Sequence, residues 1–465
     1  RYIGVTGVQT CALPILSFSG VPQPAALKPC GAAMTELRAF RAELLDFTGD
    51  PGENPDSAHV RHRPDGLLLV ADGRIVECGP AARLLPQLSP EVPVEYFPDR
   101  LLMPGFVDAH IHYPQTDIIA SYGSDLLDWL QTYTYPAERA FADPAHAHEL
   151  AEVFIEELLR HGTTTALVMA SVHPQSVDAL FTAAAGQRLR LVAGKLLMDR
   201  HVPEDLCDPA DAGYADSLAL IRRWHGHGRF HYAITPRFAP TSSEAQLEAC
   251  GRLARLDDSL FIHSHVAESQ RELEWVAGLF PWARSYLDVY DRFGLLRRRA
   301  VYAHCLHLDA ADRTRMCESG ASVAFCPGSN LFLGSGLLDL PACAAGHLAL
   351  GTDVGGGTSF SLLHTLAEGY KVARLAGHTL APLRGFYLAT LGGARALDLD
   401  AHIGSFEPGR EADFVVLDPG ATQLLTRRTA RAVSLAERLF ALMMLGDDRA
   451  IARVYVLGEC VHAIG

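Results

Sequence analysis

The sequence lacks several features that would assign it to other classes of protein. Its ten cysteines form no CxxC pair, which favours reduced, cytosolic thiols over a disulfide framework. No apolar run approaches the ~18 residues that a membrane span needs. The formal charge of −14 disfavours a nucleic-acid surface, which would need a basic stripe. We therefore expect a cytoplasmic protein that binds neither nucleic acid nor membrane.

The first 33 residues have no periodicity that predicts a helix or a strand. Residues 5–15, "VTGVQTCALPI", resemble a translated sequencing-library adaptor, and the stretch that follows lacks the charged segment of a signal peptide. We expect residues 1–33 to be a non-native or disordered extension and the natural chain to begin at Met34.

The long middle of the chain alternates between apolar runs and amphipathic stretches. Its eight apolar runs are "GFVDAHIH", "TTTALVMAS", "LRLVAGKLLMD", "FHYAITPRF", "LFIHSHVAE", "AVYAHCLHL", "ASVAFCPGS" and "HLALGTDVGG". This alternation is typical of an α/β fold, the (β/α)8 TIM barrel. A doubly wound open sheet is the alternative, but no GxGxxG motif follows the first run to support it.

Both ends of the chain are rich in short β-runs. In "GLLLVADGRIVECGP" the Asp72–Gly73 pair predicts a hairpin between two strands. Two stretches near the C-terminus also read as short β-runs, "SFEPGREADFVVLDP" and "ARVYVLGECVHAI". We predict a small β-sandwich domain built from residues 34–103 with 404–465, around a barrel of residues 104–403.

Ligand-type side chains close four of the predicted barrel strands. His110 and His112 end the first run, His265 ends the fifth, His304 the sixth, and Asp353 follows the eighth. Residues at i and i+2 share a face of a strand, and a barrel places its active site at the carboxyl ends of its strands. Imidazoles with one carboxylate suit a divalent zinc or iron ion. The pattern therefore predicts a metal site.

Some histidines and one lysine near these positions are less suited to bind the ion. His265 lies nearer the strand end than His263, which we expect to be buried behind the site. His304 follows the apolar residues of its run directly, whereas His307 is expected in the loop. Lys195 lies on run three and is expected to be structural, and run four carries no lysine that could form a carbamate bridge between two metal ions. One metal ion is therefore predicted.

Other polar residues at strand ends suggest a proton carrier and a pocket for a polar heterocycle. Glu268 is placed to move a proton between water and a leaving group, although a glutamate beside a helix N-terminus could serve only the helix dipole. Arg237 offers a planar fork of donors, and Gln115 offers a donor and an acceptor. Phe238 could cover a flat ligand or simply pack in the core. Asp353 could also accept the proton of the water.

Several stretches resemble the amidohydrolase superfamily of metal-dependent hydrolases, namely "PGFVDAHIHYPQ", "HSHVAE", "AHC", "GTDVGGG" and "GREADFVVLD". Within it, "HYPQ", "DLLDWLQTYTYPAE", "TTTALVMASVH", "GKLLMDR", "TPRF" and "GDDRAIARVYVLGE" resemble the guanine deaminases. The resemblance covers the chain from about residue 36 to its end.

The resemblance implies an aminohydrolase that converts guanine to xanthine and ammonia in purine catabolism, acting as a homodimer with one ion, zinc or iron. It implies metal ligands at His110, His112, His265 and Asp353, with His304 as a further ligand or as the residue that holds the water. It further implies purine contacts from Gln115, Arg237 and Phe238, and a proton shuttle at Glu268. The alternatives are a deaminase or hydrolase of another heterocycle and a barrel that binds partners without catalysis.

Overall fold

A computed structural model describes residues 36–123, 125–343 and 346–464 of the chain. Residues 36–465 form one compact unit. The extension predicted for residues 1–33 lies outside the described residues. None of the helices described is both long enough and apolar enough to cross a membrane.

The strands of the described residues are β1 (Arg38–Phe47), β2 (Val60–Ala71), β3 (Arg74–Pro80), β4 (Val94–Pro104), β5 (Phe106–His112), β6 (Thr163–Met169), β7 (Arg190–Gly194), β8 (Leu196–Leu197), β9 (Phe230–Pro236), β10 (Phe261–Val266), β11 (Ala300–His304), β12 (Ser322–Phe325), β13 (His347–Leu350), β14 (Phe414–Leu417), β15 (Ile451–Val456) and β16 (Glu459–Ala463). Their α-helices are α1 (Ala81–Leu84), α2 (Leu126–Trp129), α3 (Tyr135–Arg139), α4 (Pro144–Arg160), α5 (Pro174–Gly186), α6 (Ala210–Trp224), α7 (Glu244–Ala254), α8 (Gln270–Leu279), α9 (Tyr286–Arg292), α10 (Ala310–Ser319), α11 (Pro327–Phe332), α12 (Leu362–Leu375), α13 (Pro382–Tyr387), α14 (Gly393–Ala396), α15 (Gln423–Thr429) and α16 (Leu435–Leu445).

The middle of the chain forms a barrel of parallel strands with helices outside, which confirms the predicted (β/α)8 architecture. The strands pair in the order β5-β6-β7-β9-β10-β11-β12-β13, and the short β8 adds to β9. Each of the eight apolar runs supplies one of these strands; the third run also supplies β8. Every residue of β5 and β6 is buried, as expected for strands covered on both faces.

The barrel closes between its first strand and the segment after its last. The backbone N–H of Asp353 donates to the carbonyl of His110 at 2.9 Å, and that of His112 donates to the carbonyl of Val354 at 3.0 Å. We call these two hydrogen bonds the closing seam. Three of the four residues that form the seam are predicted metal ligands, so closure of the barrel brings them together.

The two ends of the chain share a second sheet of seven strands, in the order β16-β15-β14-β4-β1-β2-β3. The predicted hairpin joins β2 to β3 in antiparallel register. Asp72 and Gly73 both have positive φ, at 50° and 72°, as a type I′ turn requires. The second sheet is therefore built from both ends of the chain, as the sequence predicts.

A buried ionic cluster joins the amino-terminal end of the barrel to the segment before β14. Glu411 accepts hydrogen bonds from Arg190 Nε at 3.0 Å and from Arg229 Nη2 at 2.6 Å. Arg229 also pairs with Asp413. Removal of one partner would leave a buried charge uncompensated, which is costly. The cluster therefore fixes the second sheet against the end of the barrel that is opposite the predicted site.

Gly194 at the end of β7 has no room for a side chain. A Cβ atom there would lie 1.7 Å from the carbonyl oxygen of Ala233 on β9, and that oxygen belongs to the barrel backbone. We expect Gly194→Ala to lower the free energy of unfolding by about 3 kcal/mol or more. Urea denaturation followed by circular dichroism measures this loss.

Gly186→Ala is the matched control for this substitution. Gly186 ends α5, and a Cβ atom there would meet nothing within 4 Å. The unfolding free energy of the Gly186→Ala variant should equal that of the parent or exceed it by about 0.5–1 kcal/mol. Equal stability of the two variants would contradict the close strand contact.

Candidate active site

The five predicted metal ligands meet at the carboxyl ends of the barrel strands. His110 and His112 lie on β5, His265 on β10 and His304 at the end of β11. Asp353 follows β13 directly. All five side chains are buried. The sequence prediction that these residues converge is therefore realised in the fold.

The distances between these side chains fit the donor atoms of one metal ion. His110 Nε2 lies 3.0 Å from Asp353 Oδ1, and His112 Nε2 lies 3.2 Å from the same oxygen. His112 Nε2 is also 3.2 Å from both His110 Nε2 and His265 Nε2. Donor atoms about 2.1 Å from one ion lie roughly 3.0–3.5 Å apart. One atom from each of His110, His265, His304 and Asp353 lies within 4.8 Å of the others.

Hydrogen bonds orient two of the imidazoles as ligands. His265 Nδ1 donates to the carbonyl of Arg237 at 2.6 Å, and His304 Nδ1 donates to Asn330 Oδ1 at 2.8 Å. A proton on Nδ1 leaves the lone pair of Nε2 free for a metal. His304 Nε2 is buried and makes no hydrogen bond to any residue in the described ranges. The residues therefore fit a divalent ion.

Asp108 and His263 support these ligands from behind. Asp108 accepts from the backbone N–H of His110 at 3.1 Å and from the hydroxyl of Thr352 at 2.5 Å. Burial raises the pKa of Asp108 to about 6. His110 Nδ1 shares a hydrogen bond of 2.7 Å with His263 Nε2, so His263 lies behind the site, as predicted.

The charge states of the site favour a cation. Burial lowers the pKa of His112 to about 4 and that of His265 well below its usual value. Burial acts to raise the pKa of Asp353, but His110 and His112 beside it hold that pKa well below the usual range. Neutral imidazoles and an ionised carboxylate are the forms that bind divalent metals.

A cavity opens beside these ligands, at the carboxyl ends of the barrel strands. Its wall consists of His112, Gln115, Leu126, Trp129, Leu130, Arg237, Phe238, His265, Glu268, His304, Leu333, Asp353 and Gly356. The four residues predicted to contact substrate or carry protons (Gln115, Arg237, Phe238 and Glu268) all lie in this wall. Phe238 makes an edge contact with Trp275, at 6.1 Å between ring centroids.

Glu268 points into the cavity rather than serving the end of α8. Ser269 caps that helix and forms the capping box with Glu272, so Glu268 precedes the cap. Its Oε1 accepts from Ser335 Oγ at 3.0 Å, and its Oε2 lies 3.4 Å from His304 Nε2. Burial, followed by the charge of Asp353, raises the pKa of Glu268 to about 8. A carboxyl with such a pKa can both accept and release a proton near neutral pH.

The sequence analysis assigned no role to several residues that complete the site. Glu138 on α3 accepts from Arg237 Nη1 at 2.6 and 2.8 Å. Asn330 and Ser335 orient His304 and Glu268. The rule that polar residues follow barrel strands could have found Asn330, because it lies close after β12. Nothing in the local pattern around Glu138 or Ser335 indicates their contacts.

The sequence and the fold both resemble characterised proteins. The Amidohydrolase family matches residues 101–461. The guanine deaminase of Escherichia coli strain K12 is 46% identical over 430 residues, which are 92% of this chain and 98% of that protein. The solved E. coli guanine deaminase superposes with a TM-score of 0.90 and covers 92% of this chain and 100% of its own.

Two more distant structures share the fold. Guanine deaminase from C. acetobutylicum, solved with guanine bound in its active site, has 26% identity and a TM-score of 0.83 over 92% of this chain and 100% of its own. An adenosine deaminase from Xanthomonas campestris with bound zinc has 26% identity and a TM-score of 0.80, and it covers 91% of this chain and 92% of its own. By sequence and by structure, the chain therefore belongs to the amidohydrolase family and, within it, to the guanine deaminases.

Proposed function

We propose that this chain hydrolyses guanine to xanthine and ammonia. The observation that supports it best is one cavity whose wall combines four of the five candidate metal ligands with the carboxyl of Glu268 and the guanidinium of Arg237. The ligands would hold an ion that activates water, Glu268 would move protons, and Arg237 would bind a polar heterocycle. The guanine deaminases of E. coli and C. acetobutylicum share the fold around this cavity.

The proposed substrate contacts follow from the chemistry of the wall. Phe238 would cover one face of the purine, and Arg237 and Gln115 would contact its polar edges. A guanidinium only donates hydrogen bonds, so Arg237 complements a ring carbonyl and not an amino group. Sites that pair a buried donor reject ligands that lack the acceptor. We therefore infer a preference for 6-oxopurines over 6-aminopurines and other heterocycles.

His110, His112, His265 and Asp353 would hold one divalent ion, with His304 as a fifth ligand or as the holder of the water. When bound, such an ion lowers the pKa of coordinated water towards neutrality. Zinc is the proposed ion because the adenosine deaminase of the same fold binds zinc. Fe²⁺ suits the same ligand set.

Proton transfer is assigned to the side chains of this chain. Glu268 would take a proton from the attacking water and deliver it to the ring nitrogen beside the carbon that bears the amino group. Asp353 and His304 would hold the attacking oxygen in place. Glu268 would then pass the remaining hydroxyl proton to the amino group, so that ammonia leaves and the carbonyl of xanthine forms. The contact of Glu268 with Ser335 and its proximity to His304 would keep its carboxyl directed at the reacting atoms.

Three other predictions made from the sequence stay proposals. They are assembly into a homodimer, location in the cytoplasm, and the domain boundaries of 34–103 with 404–465 and of 104–403.

The purified protein should convert guanine to xanthine in an ultraviolet absorbance assay. A chelator should abolish turnover, because the attacking water is no longer activated. Adding back zinc or ferrous iron should restore turnover, and mass spectrometry of the metal should identify the resident ion. Adenine, cytosine and a triazine form the control panel. Faster turnover of any of these than of guanine would contradict the proposed substrate.

Removal of one ligand should release the metal. We expect His110→Ala to weaken metal affinity by more than the roughly 10- to 100-fold that the loss of an outer partner costs. Metal per chain after dialysis measures this change. His148→Ala, an exposed histidine on α4, is the matched control and should keep its metal.

Glu268→Gln should separate metal binding from turnover. The amide has nearly the same shape but cannot carry the proton, so kcat should fall about 10²- to 10⁴-fold while metal content stays at the level of the parent. Glu274→Gln changes an exposed glutamate on α8, the helix that follows Glu268, and should leave kcat unchanged. Turnover near the parent rate in Glu268→Gln would disprove the shuttle.

A further inference from the structure

Glu138 is a buried carboxylate that lies just behind the wall of the cavity. It belongs to α3, and its side chain is 1% exposed. Both of its oxygens accept from Arg237 Nη1, at 2.6 and 2.8 Å. Among the described residues that line the cavity, Arg237 and Gln115 are present and Glu138 is not. Glu138 can therefore affect a ligand only through its neighbours.

The pairing with Glu138 uses only part of the Arg237 guanidinium. Within the described ranges Arg237 makes its side-chain hydrogen bonds through Nη1, to Glu138 and more weakly to Met198 Sδ at 3.8 Å. The guanidinium also lies 5.7 Å from the ring centroid of Tyr135. Because the guanidinium fork is rigid, fixing Nη1 also fixes the directions of Nε and Nη2. These two groups remain as donors for a molecule in the cavity.

The Gln115 amide is oriented by the backbone on the other side of the cavity wall. Gln115 Oε1 accepts from the backbone N–H of Gly355 at 3.0 Å, so its Nε2 is the end left to donate. Gln115 also acts to lower the pKa of Glu138, as a donor near that carboxyl would. Glu138 therefore fixes the Arg237 guanidinium, next to an amide that Gly355 already holds.

We propose that Glu138 is a positioning residue that sets the purine specificity of this site by orienting Arg237. This inference rests on the proposed function. Glu138 holds the guanidinium so that its free donors meet a ring carbonyl of the substrate. It does not touch the substrate or the reacting atoms.

A purely structural role is the alternative, and the chain contains a matched control for it. Buried arginine–carboxylate pairs are poor evidence of stabilisation by themselves. Glu411 is another buried glutamate paired with arginine, at 2.5 Å from Arg190 Nη2, at the opposite end of the barrel. Glu411→Gln makes the same chemical change far from the cavity. If pairing serves only the fold, the two variants should behave alike.

The test compares Glu138→Gln with the parent in two assays. With guanine, kcat/KM should fall roughly tenfold or more, mainly through KM, because a wall group is displaced and the reacting atoms are not. Hypoxanthine has the 6-oxo group but no amino group to hydrolyse, so its Kd measures binding without turnover. That Kd should rise roughly tenfold. Metal content should match the parent.

Two further variants keep the test decisive if Glu138→Gln is unstable. Glu138→Asp retains the negative charge on a shorter side chain, so its KM and its Kd for hypoxanthine should lie between those of the parent and of Glu138→Gln. Glu411→Gln should lower Tm without changing either constant. Unchanged KM and Kd in Glu138→Gln, or equal changes in Glu411→Gln, would overturn the proposal.

The two assays also distinguish this inference from the proposed function. A parent protein that leaves guanine unchanged contradicts the proposed function. In that case hypoxanthine binding decides the role of Glu138: a parent that binds and a Glu138→Gln variant that binds at least tenfold more weakly support it, and equal or absent binding overturns it.

Discussion

The closing seam of the barrel is the interaction on which the site depends most directly. His110 and His112 lie near the start of the barrel, and Asp353 follows its last strand; the two backbone hydrogen bonds between these segments bring the carboxylate to the imidazoles. The Asp108–Thr352 contact reinforces the seam between residues 244 apart in the chain. Folding of the complete barrel and assembly of the metal ligands are therefore one event.

The site concentrates groups that would oppose folding if they were left alone. Imidazoles and two carboxyls share a buried space, where unpaired polar atoms are costly. The Arg237 carbonyl and Asn330 Oδ1 accept hydrogen bonds from the outward nitrogens of His265 and His304. Ser335 donates one to Glu268. The donor atoms that face the centre of the site remain free to bind an ion, and a bound ion stabilises the folded state. Affinity for metal and stability of the native chain are thus linked.

Sequence patterns predict the features that repeat and miss those that depend on distant contacts. The apolar runs, the i, i+2 histidine pair on β5 and the Asp72–Gly73 turn are local signals, and each is found where the pattern places it. Leu126, Trp129 and Leu333 of the cavity wall come from short helices and loops, whose sequence has no hydrophobic periodicity. Glu138 contacts a partner 99 residues away, and no local rule connects the two.

Two site residues have a backbone conformation that few residues adopt. His304 and Asp353 have φ of 70° and 52°, in the left-handed region that asparagine, aspartate and glycine tolerate best. Substitution at these positions is therefore limited by backbone energy as well as by chemistry: at position 353, asparagine or glycine would fit the left-handed backbone, whereas valine or isoleucine would be strained. A descendant that lost catalysis would therefore keep this backbone most easily with asparagine or glycine at position 353.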